Sequence, residues 1–408
     1  MSKIRNKFGN ATIDLTTGSI RKGMISFAVP LFFGQLLQQL YNLADAWVVG
    51  NFADNKSFAA VSSTGSLVFL IIGFFGGIGI GGGVVISRYV GAKDKEMVSK
   101  AIHTNILLAI MASVIATTFG LVFVEGILKL MDTPAEVLPE STTYLGIYFA
   151  GVSTVIIYNS GMSILRSLGD SFHPLVYLAV SSGTNVVLDI LFVAVFKLGV
   201  TGAAVATVAS QGLSAVLCLL RLARLPEEHE RLRLKKIRFY GSVMREVIKQ
   251  GIPTGIQNSV ISIGNMVVQK NINSFGQYAM SGHGAYARIE GFVFLPITSM
   301  SMTLPTFIGQ NLGAKEYERA KKGARFGIIS GMVIAQTIGV LFFLFARYAL
   351  RFFVDEQESI AYGAIQARTV SLFFLLLAFS HCAAGVLRGC GKSFIPMVTM
   401  LAFWCGVR

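Results

Sequence analysis

The sequence predicts an all-α polytopic membrane protein made of two pseudo-symmetric six-helix bundles, the second of them truncated at the C-terminus. Three observations predict this fold class: an apolar composition, a series of long apolar runs and an internal repeat. Of the 408 residues, 53% are hydrophobic and 14% are charged, whereas soluble domains carry about 25% charged residues. The composition therefore leaves little sequence for a soluble domain.

The long apolar runs predict the helices of both bundles, because a transmembrane helix needs about 20 mainly apolar residues. Ten complete runs lie at 24–50, 58–86, 101–124, 143–164, 174–196, 199–220, 247–272, 284–309, 326–346 and 360–387. An eleventh begins near residue 393 and is cut off at Arg408. We therefore expect the sequence to be truncated within the second bundle.

The basic residues predict the orientation of the chain. Most of the 35 Lys and Arg residues lie in the N-terminal segment, in alternate connections at 87–100, 221–250 and 310–325, and at Arg166, Arg388 and Lys392. The opposite connections hold only Lys56, Lys129, Lys197, Lys270, Arg347 and Arg351. Because cytoplasmic connections carry the excess of Lys and Arg, we expect a multi-pass protein of the plasma (inner) membrane with a cytoplasmic N-terminus.

An internal repeat divides the chain into halves. SRYVGAKDKEMVSKA at 87–101 recurs as GQNLGAKEYERAKKG at 309–323, and LRSLGDSFHP at 165–174 recurs as LRGCGKSFIP at 387–396, both offset by 222 residues. This predicts parallel repeats with a binding site between them near the middle of the membrane. The predicted units are an N-terminal six-helix bundle at 1–220, a cytoplasmic linker at 221–246 and an incomplete C-terminal bundle at 247–408. The linker is either a solvated tether or a basic segment that touches anionic lipid.

The first apolar run carries a polar stripe that covers roughly a third of the helix circumference. Its members are Gln35, Gln38, Gln39, Asn42 and Asp45. In an apolar helix, a polar stripe that ends in a carboxylate predicts a cavity wall. Pro30 lies about 22 Å of helix before Asp45 and removes one backbone hydrogen bond, which predicts a hinge.

A second intramembrane acid, Asp189, lies in the fifth run. Asn185 precedes it by one helical turn, so both share a face, and Thr207 and Tyr144 could complete a polar pocket. Each acid is either functional or a static hydrogen-bonded group. Thr207 either lines the pocket or bonds its own helix.

The second half repeats only part of the stripe. Its members in the seventh run are Asn258, Ser262, Asn265 and Gln269. The position that corresponds to Asp45 holds Val268 or Val267, so the charge of the stripe is confined to the first half. Glu290, two residues after Arg288, is either part of a structural pair or part of a transport path. The predicted substrate path comprises Gln35, Gln38, Asn42, Asn258, Asn265 and Glu290.

Signatures of enzymatic chemistry are weak or missing in the sequence. Gly77, Gly79 and Gly82 satisfy G-x-G-x-x-G, but no strand precedes them, which argues against a dinucleotide site. Gly73, Gly77 and Gly81 recur every four residues, which favours close helix packing in lipid. No HExxH, Walker A or Cys-rich metal spacing occurs. The cysteines are interpreted as packing residues: Cys218, Cys382, Cys390 and Cys405. We therefore predict neither an enzyme, nor a cofactor, nor a nucleic-acid partner.

Taken together, these motifs make the chain resemble the multidrug and toxic compound extrusion (MATE) family. The resemblance is carried by the Pro30 to Asp45 spacing, the GAK motif after the second and eighth runs, LRSLGD and LRGCGK after the fourth and tenth, and Asn185-x-x-x-Asp189 followed by Thr207. The order of these motifs covers nearly the whole chain. The resemblance implies twelve spans in two six-helix bundles and efflux of bulky, often cationic drugs.

The resemblance also implies a cation pocket in the first half, formed by Asp45, Asn185, Asp189 and Thr207, with Tyr144 beside it. The coupling ion is H⁺ or Na⁺, and Na⁺ would bind at the first four residues. The function expected is that of a monomeric secondary antiporter that works by alternating access. The alternative is a flippase for lipid-linked oligosaccharide precursors, which would need a strongly cationic cavity; the acidic first half favours drug efflux.

Overall fold

The computed structural model describes residues 12–52, 55–131 and 133–403, and these residues form thirteen α-helices and no β-strand. In chain order the helices are α1 (Ile20–Phe52), α2 (Asn55–Gly91), α3 (Lys95–Leu130), α4 (Leu138–Ser167), α5 (Phe172–Asp189), α6 (Gly199–Ala223), α7 (Gly241–Asn273), α8 (Gln277–Val293), α9 (Leu295–Gly313), α10 (Tyr317–Leu350), α11 (Gln357–Ser371), α12 (Phe374–Gly389) and α13 (Phe394–Leu401). A π-helical turn, Ile190–Val195, follows α5. The prediction of an all-α chain is confirmed, and Cys405 lies outside the described residues.

We call α1 to α6 the first lobe and α7 to α13 the second lobe. Among the described residues, seven helices are long and apolar enough to cross a membrane, or up to nine spans if two bent pairs each count as one. α7, which corresponds to the predicted seventh run, is a continuous helix of 33 residues but does not pass this test. The helix packs on α2 through small and polar residues, Gly251, Gly255 and Asn258 among them.

The eighth apolar run is broken into two helices. α8 and α9 are bent by 44° relative to each other, and Pro296 lies in the first turn of α9. Proline suits this position because its missing N–H would have no helical partner there. The apolar run at 284–309 therefore corresponds to a bent pair of helices, which together are long and apolar enough for one span.

The tenth run is broken as well, since α11 and α12 are bent by 57° relative to each other. Gln336 of α10 supplies partners for the interrupted backbone. Its Oε1 accepts a hydrogen bond from the Leu375 N–H at 3.1 Å, and its Nε2 donates to the Ser371 carbonyl oxygen at 3.4 Å. Irregular backbone at membrane depth requires such partners. The apolar run at 360–387 therefore corresponds to a bent pair of helices, which together are long and apolar enough for one span.

A seam of glycines joins the two lobes. Gly77 and Gly81 of α2 lie so close to Gly255 and Gly251 of α7 that a Cβ at either α2 position would overlap the opposing backbone. Further along α2, the Gly73 carbonyl oxygen accepts a hydrogen bond from Nδ2 of Asn258 at 3.1 Å. The predicted role of the four-residue glycine spacing in helix packing is confirmed.

The lobes also meet at what we call the basic end, which contains the start of α1 and the connections α2–α3, α4–α5, α6–α7 and α9–α10. There the backbone of Gly91 lies against Gln310, and that of Gly313 against Arg88. Nε2 of Gln310 donates to the Ser167 carbonyl oxygen at 2.9 Å. From Gly91 back to the level of Gly77, about 21 Å of helix, the lobes are in close contact.

Candidate ion and substrate site

α1 carries the polar stripe along the inside of the first lobe. The helix is continuous through Pro30 from Ile20 to Phe52. Gln35, Gln38, Asn42 and Asp45 all line one cavity. The fifth member of the stripe, Gln39, instead lies against Gly291 of the second lobe.

Asp189 is the last residue of α5 and directly precedes the π-helical turn. A π turn inserts an extra residue into a helix and is frequent at functional sites. Val193 of this turn is fully buried and packs in one cluster with Val48 and Val49 of α1. The turn thereby fixes the end of α5 against the half of α1 that carries Asp45.

Asp45 and Asp189 form a pair of directly interacting carboxyl groups. Asp189 is 0% exposed, and neither of its carboxylate oxygens has a hydrogen-bond partner among the described residues. Oδ1 of Asp45 is also buried without such a partner, as are both amide atoms of Asn185. Buried polar atoms normally have partners, so this cluster has free capacity for a cation or a proton.

Two tyrosines surround the acidic pair. Tyr144, near the start of α4, is 8% exposed and interacts with both carboxyl groups. Tyr41, one turn before Asp45 on α1, interacts with the pair and with the side chains of Gln38 and Gln211. The structure therefore brings the predicted acids and Tyr144 together and places Tyr41 beside them.

The cluster lies beside a cavity of about 510 Å³, formed mainly by the first lobe. Drug-sized sites have volumes of ~300–1,000 Å³. The wall combines amides, phenols and apolar groups, among them Gln35, Asn42, Tyr148, Tyr158, Asn159, Met162, Thr207, Gln211 and Met302. Among the described residues, its charged members are Asp45 and, toward the basic end, Arg166.

The predicted second-lobe residues do not line this cavity. Asn258 donates its hydrogen bond into the glycine seam. Glu290 accepts a hydrogen bond from the Tyr286 hydroxyl at 2.5 Å, and Asn265 is exposed on α7. Their place on a substrate path therefore stays a prediction.

Sequence reasoning missed Gln211 and the position of Arg166 in the cavity. A signal existed for Gln211, because it follows Thr207 by four residues and so shares its helix face. Arg166 was attributed only to the basic side of the membrane. Its position in the cavity depends on how α4 packs in the first lobe, which no local pattern reports.

The donor atoms of the cluster suit a hard cation. Carboxylate and carbonyl oxygens bind hard cations, and a carboxylate also accepts H⁺. The part of the chain that the structure describes contains no group of three or more His, Cys, Asp or Glu residues that could hold a metal. The carboxylates of the cluster are able to accept a proton or a small cation beside a drug-sized cavity.

Two helical lobes with membrane-spanning helices and an internal cavity beside unpaired acids define a membrane transporter. The MatE family model matches residues 30–191 and 253–407, and the chain belongs to this family of multidrug efflux transporters. Its members are transporters rather than enzymes and need no cofactor.

Known relatives and structures agree with this assignment. The chain is 28% identical to the "Probable multidrug resistance protein YpnP" of Bacillus subtilis, over 96% of this chain and 87% of the relative. It is 26% identical to the "Probable multidrug resistance protein NorM" of Thermotoga maritima, over 94% and 83%. A solved outward-facing multidrug resistance MATE family transporter matches with a TM-score of 0.89 at 23% identity, over 96% of this chain and 87% of that chain. The structural match shows that the fold is that of the MATE transporters.

Proposed function

We propose that the protein is a secondary active antiporter that exports bulky, often cationic drugs in exchange for H⁺ or Na⁺. The observation that carries the proposal is the Asp45–Asp189 pair, whose buried oxygens lack partners among the described residues beside a drug-sized cavity. Ionisable groups within a membrane are costly and mark ion pathways. The relatives named multidrug resistance and multidrug export proteins support drugs as the cargo.

The proposed ion pocket has a defined set of oxygen atoms. Na⁺ would bind the carboxylates of Asp45 and Asp189, the amide oxygen of Asn185 and the hydroxyl of Thr207, with Tyr144 beside them. A proton would need only the carboxyl pair. The two ions therefore differ in their dependence on Asn185 and Thr207, which a proton does not require.

The proposed cycle is a competition between the ion and the drug. Without an ion, two like charges in low-dielectric surroundings repel each other and attract a cationic drug into the cavity. Ion uptake from outside neutralises the pair, removes this attraction and allows α1 to bend at Pro30. One charge that crosses 100 mV supplies about 2.3 kcal/mol, which corresponds to a concentration ratio of roughly 50-fold.

In this proposal the protein lies in the plasma membrane, with its basic end and its N-terminus on the cytoplasmic side. The contact between the lobes at the basic end then closes the cytoplasmic side, as in an outward-facing state. The moving units are 1–220 and 247–408, joined by the linker 221–246. The position of Gln35 between the lobes is an argument for a substrate path there. Its Oε1 accepts a hydrogen bond from the Thr298 hydroxyl of the second lobe at 2.7 Å.

The rest of the proposed path changes partners during the cycle. Gln38 and Asn42 line it on the first lobe, and Asn258, Asn265 and Glu290 join it when the second lobe moves. Because the cavity and the ion pocket lie within a single chain, we propose that the monomer transports.

Dye efflux from proteoliposomes, driven by an H⁺ gradient or a Na⁺ gradient applied separately, tests this function. We expect the wild-type chain to respond to one gradient and Asp45→Asn to lose that response while its melting temperature is kept. Glu125→Gln is the control, because its side chain is an acid that is 59% exposed. Normal ion-driven efflux by Asp45→Asn would refute the proposal.

A further inference from the structure

Arg166 is a partly buried arginine whose guanidinium lacks a protein partner. It lies one residue before the end of α4 and lines the cavity. Its Nε is fully buried, and no described residue forms a hydrogen bond or an ion pair with it. The groups that interact with it electrostatically are the phenol of Tyr158 and the thiol of Cys218, neither of which is a carboxylate.

In other partly buried arginines of the chain a terminal nitrogen has a partner, although Nε of Arg221 and of Arg388 is buried without one, as it is in Arg166. Arg221 lies 3.6 Å from the Asp170 carboxylate, and Arg88 donates to the Cys390 carbonyl oxygen at 3.3 Å. Arg388, the repeat counterpart of Arg166, donates to Oε1 of Gln257 at 2.9 Å. The lack of a partner at Arg166 is therefore not a general property of arginines in this fold or of this repeat position.

A guanidinium carries five N–H donors in a planar fork and stays charged in proteins. A charge that is removed even partly from water without a partner is unfavourable. The groups that satisfy the fork best are carboxylates and phosphates, which it binds through two parallel hydrogen bonds. Because Arg166 borders the cavity, such a group could reach it from a bound molecule.

The guanidinium and the acidic pair lie at opposite ends of the first lobe. Tyr144, which interacts electrostatically with the pair, and Arg166 are both on α4. Their positions in the sequence place them about 33 Å apart along the helix axis. A ligand anion at Arg166 is therefore remote from the repulsion of Asp45 and Asp189.

The geometry points to an anion subsite at Arg166, which takes the carboxylate or phosphate group of an amphipathic organic molecule. The inference rests on the proposed function because it assumes that the transported molecule enters this cavity. The anionic group comes either from an exported organic acid or zwitterion or from the headgroup of an anionic phospholipid. Both sources offer the same chemistry to the guanidinium, and the experiment separates them.

The test compares two dyes that differ in one charge, rhodamine B with a free carboxylate and rhodamine B ethyl ester. Binding to the purified full chain in phosphatidylcholine nanodiscs is followed by fluorescence polarisation without an ion gradient. We expect Arg166→Gln to weaken rhodamine B binding about tenfold or more and to change ester binding by less than about twofold. Arg166→Lys keeps the charge but not the planar fork and should retain only part of the preference for the acid. Arg388→Gln should leave the preference unchanged.

Stability separates a ligand subsite from a structural role. Removal of an unpaired, partly buried charge removes no favourable contact within the protein, so Arg166→Gln should melt at or above the wild-type temperature. A large fall in its melting temperature, or equal loss of affinity for the acid and the ester, would overturn the subsite. Failure of both dyes to bind the wild-type chain would instead remove the substrate path and the proposed function with it.

Nanodiscs that contain phosphatidylglycerol identify the source of the anion. Competition with rhodamine B in the wild-type chain, absent in Arg166→Gln, would support the subsite with a lipid headgroup as its ligand. Rhodamine B binding that is unaffected by phosphatidylglycerol would support it with the exported molecule as its ligand.

Discussion

Arg319 of the second lobe holds the backbone of Leu15, and through it the N-terminal segment is attached to both lobes. Nε and Nη2 of Arg319 donate to the Leu15 carbonyl oxygen at 3.2 and 3.1 Å, and Nη1 donates to that of Gly18 at 2.7 Å. On the other side, the Ile13 N–H donates to the Gly169 carbonyl oxygen of the first lobe at 2.9 Å. The segment 12–18 therefore bridges the lobes at the basic end.

Arg319→Ala should loosen the basic end. Hydrogen bonds to charged groups contribute about 1.5–3 kcal/mol each, so their loss should increase the population in which the lobes separate there. Spin labels on the basic ends of the two lobes, measured by pulsed EPR, should show a longer distance component. Lys321→Ala, at an exposed position of the same helix, is the control, and an identical distance distribution in both variants would contradict the bridge.

Gly77→Ala should destabilise the contact between the lobes. The added Cβ would overlap the backbone of Gly255, and overpacking of this kind costs about 1–3 kcal/mol. Gly76→Ala is a matched control, because its Cβ meets nothing within 4 Å. Alanine is also more favourable than glycine within a helix by about 1 kcal/mol. Thermal unfolding in detergent should therefore shift down for Gly77→Ala and stay or rise for Gly76→Ala. Equal melting temperatures for the two variants would rule out the seam.

Gln336→Leu should destabilise the bend between α11 and α12. It removes the partner of the Leu375 N–H and of the Ser371 carbonyl oxygen, and each unsatisfied buried group costs about 1–3 kcal/mol. Hydrogen exchange at residues 371–376 should accelerate. Thr337→Val, whose hydroxyl bonds only its own helix, should leave this exchange unchanged, and protection retained in Gln336→Leu would show that the bend has another support.

Glu230 in the linker should make stability depend on pH. Burial, and then the charge of Glu227, raises the pKa of Glu230 from 4.5 to about 7; the imidazole of His229 lies 4.0 Å away. Because the pKa of Glu230 is higher in the folded chain than in the unfolded chain, the contribution of this carboxyl group to stability is fully present below pH 4.5. The contribution is lost as pH rises through about 7. The melting temperature of Glu230→Gln minus that of the wild type should therefore increase as pH rises from 4.5 to about 7. A constant difference would contradict this assignment.

The sequence predicts the helical fold and the neighbourhood of the acids because both depend on strong local constraints. A helix that spans a lipid bilayer requires a long apolar run. Acidic residues are so costly within such a run that Asp45 and Asp189 are recognised from the sequence alone. The bend between α11 and α12 was not predictable in the same way, because its support, Gln336, comes from another helix. The π turn after Asp189 likewise has no sequence signal that we recognise.

The partners of polar groups were the hardest feature to predict. Asn258 belongs to the repeated stripe, yet it bonds to Gly73 because a glycine seam brings the two backbones within reach. Arg166 looks like an orienting charge at the end of a run, and only the packing of α4 places it on the cavity wall. In both cases the sequence reports the side chain, and the contact between distant helices decides its environment.

The most direct test of the account is whether drug binding displaces an ion from the acidic pair. Purified protein in weakly buffered solution would be titrated with a cationic dye, with H⁺ release read from a pH indicator and Na⁺ release from ²²Na⁺. We expect the wild-type chain to release one of these ions on binding and the double variant Asp45→Asn, Asp189→Asn to release neither. Dye binding to the wild type without release of either ion, or equal release by the double variant, would contradict it.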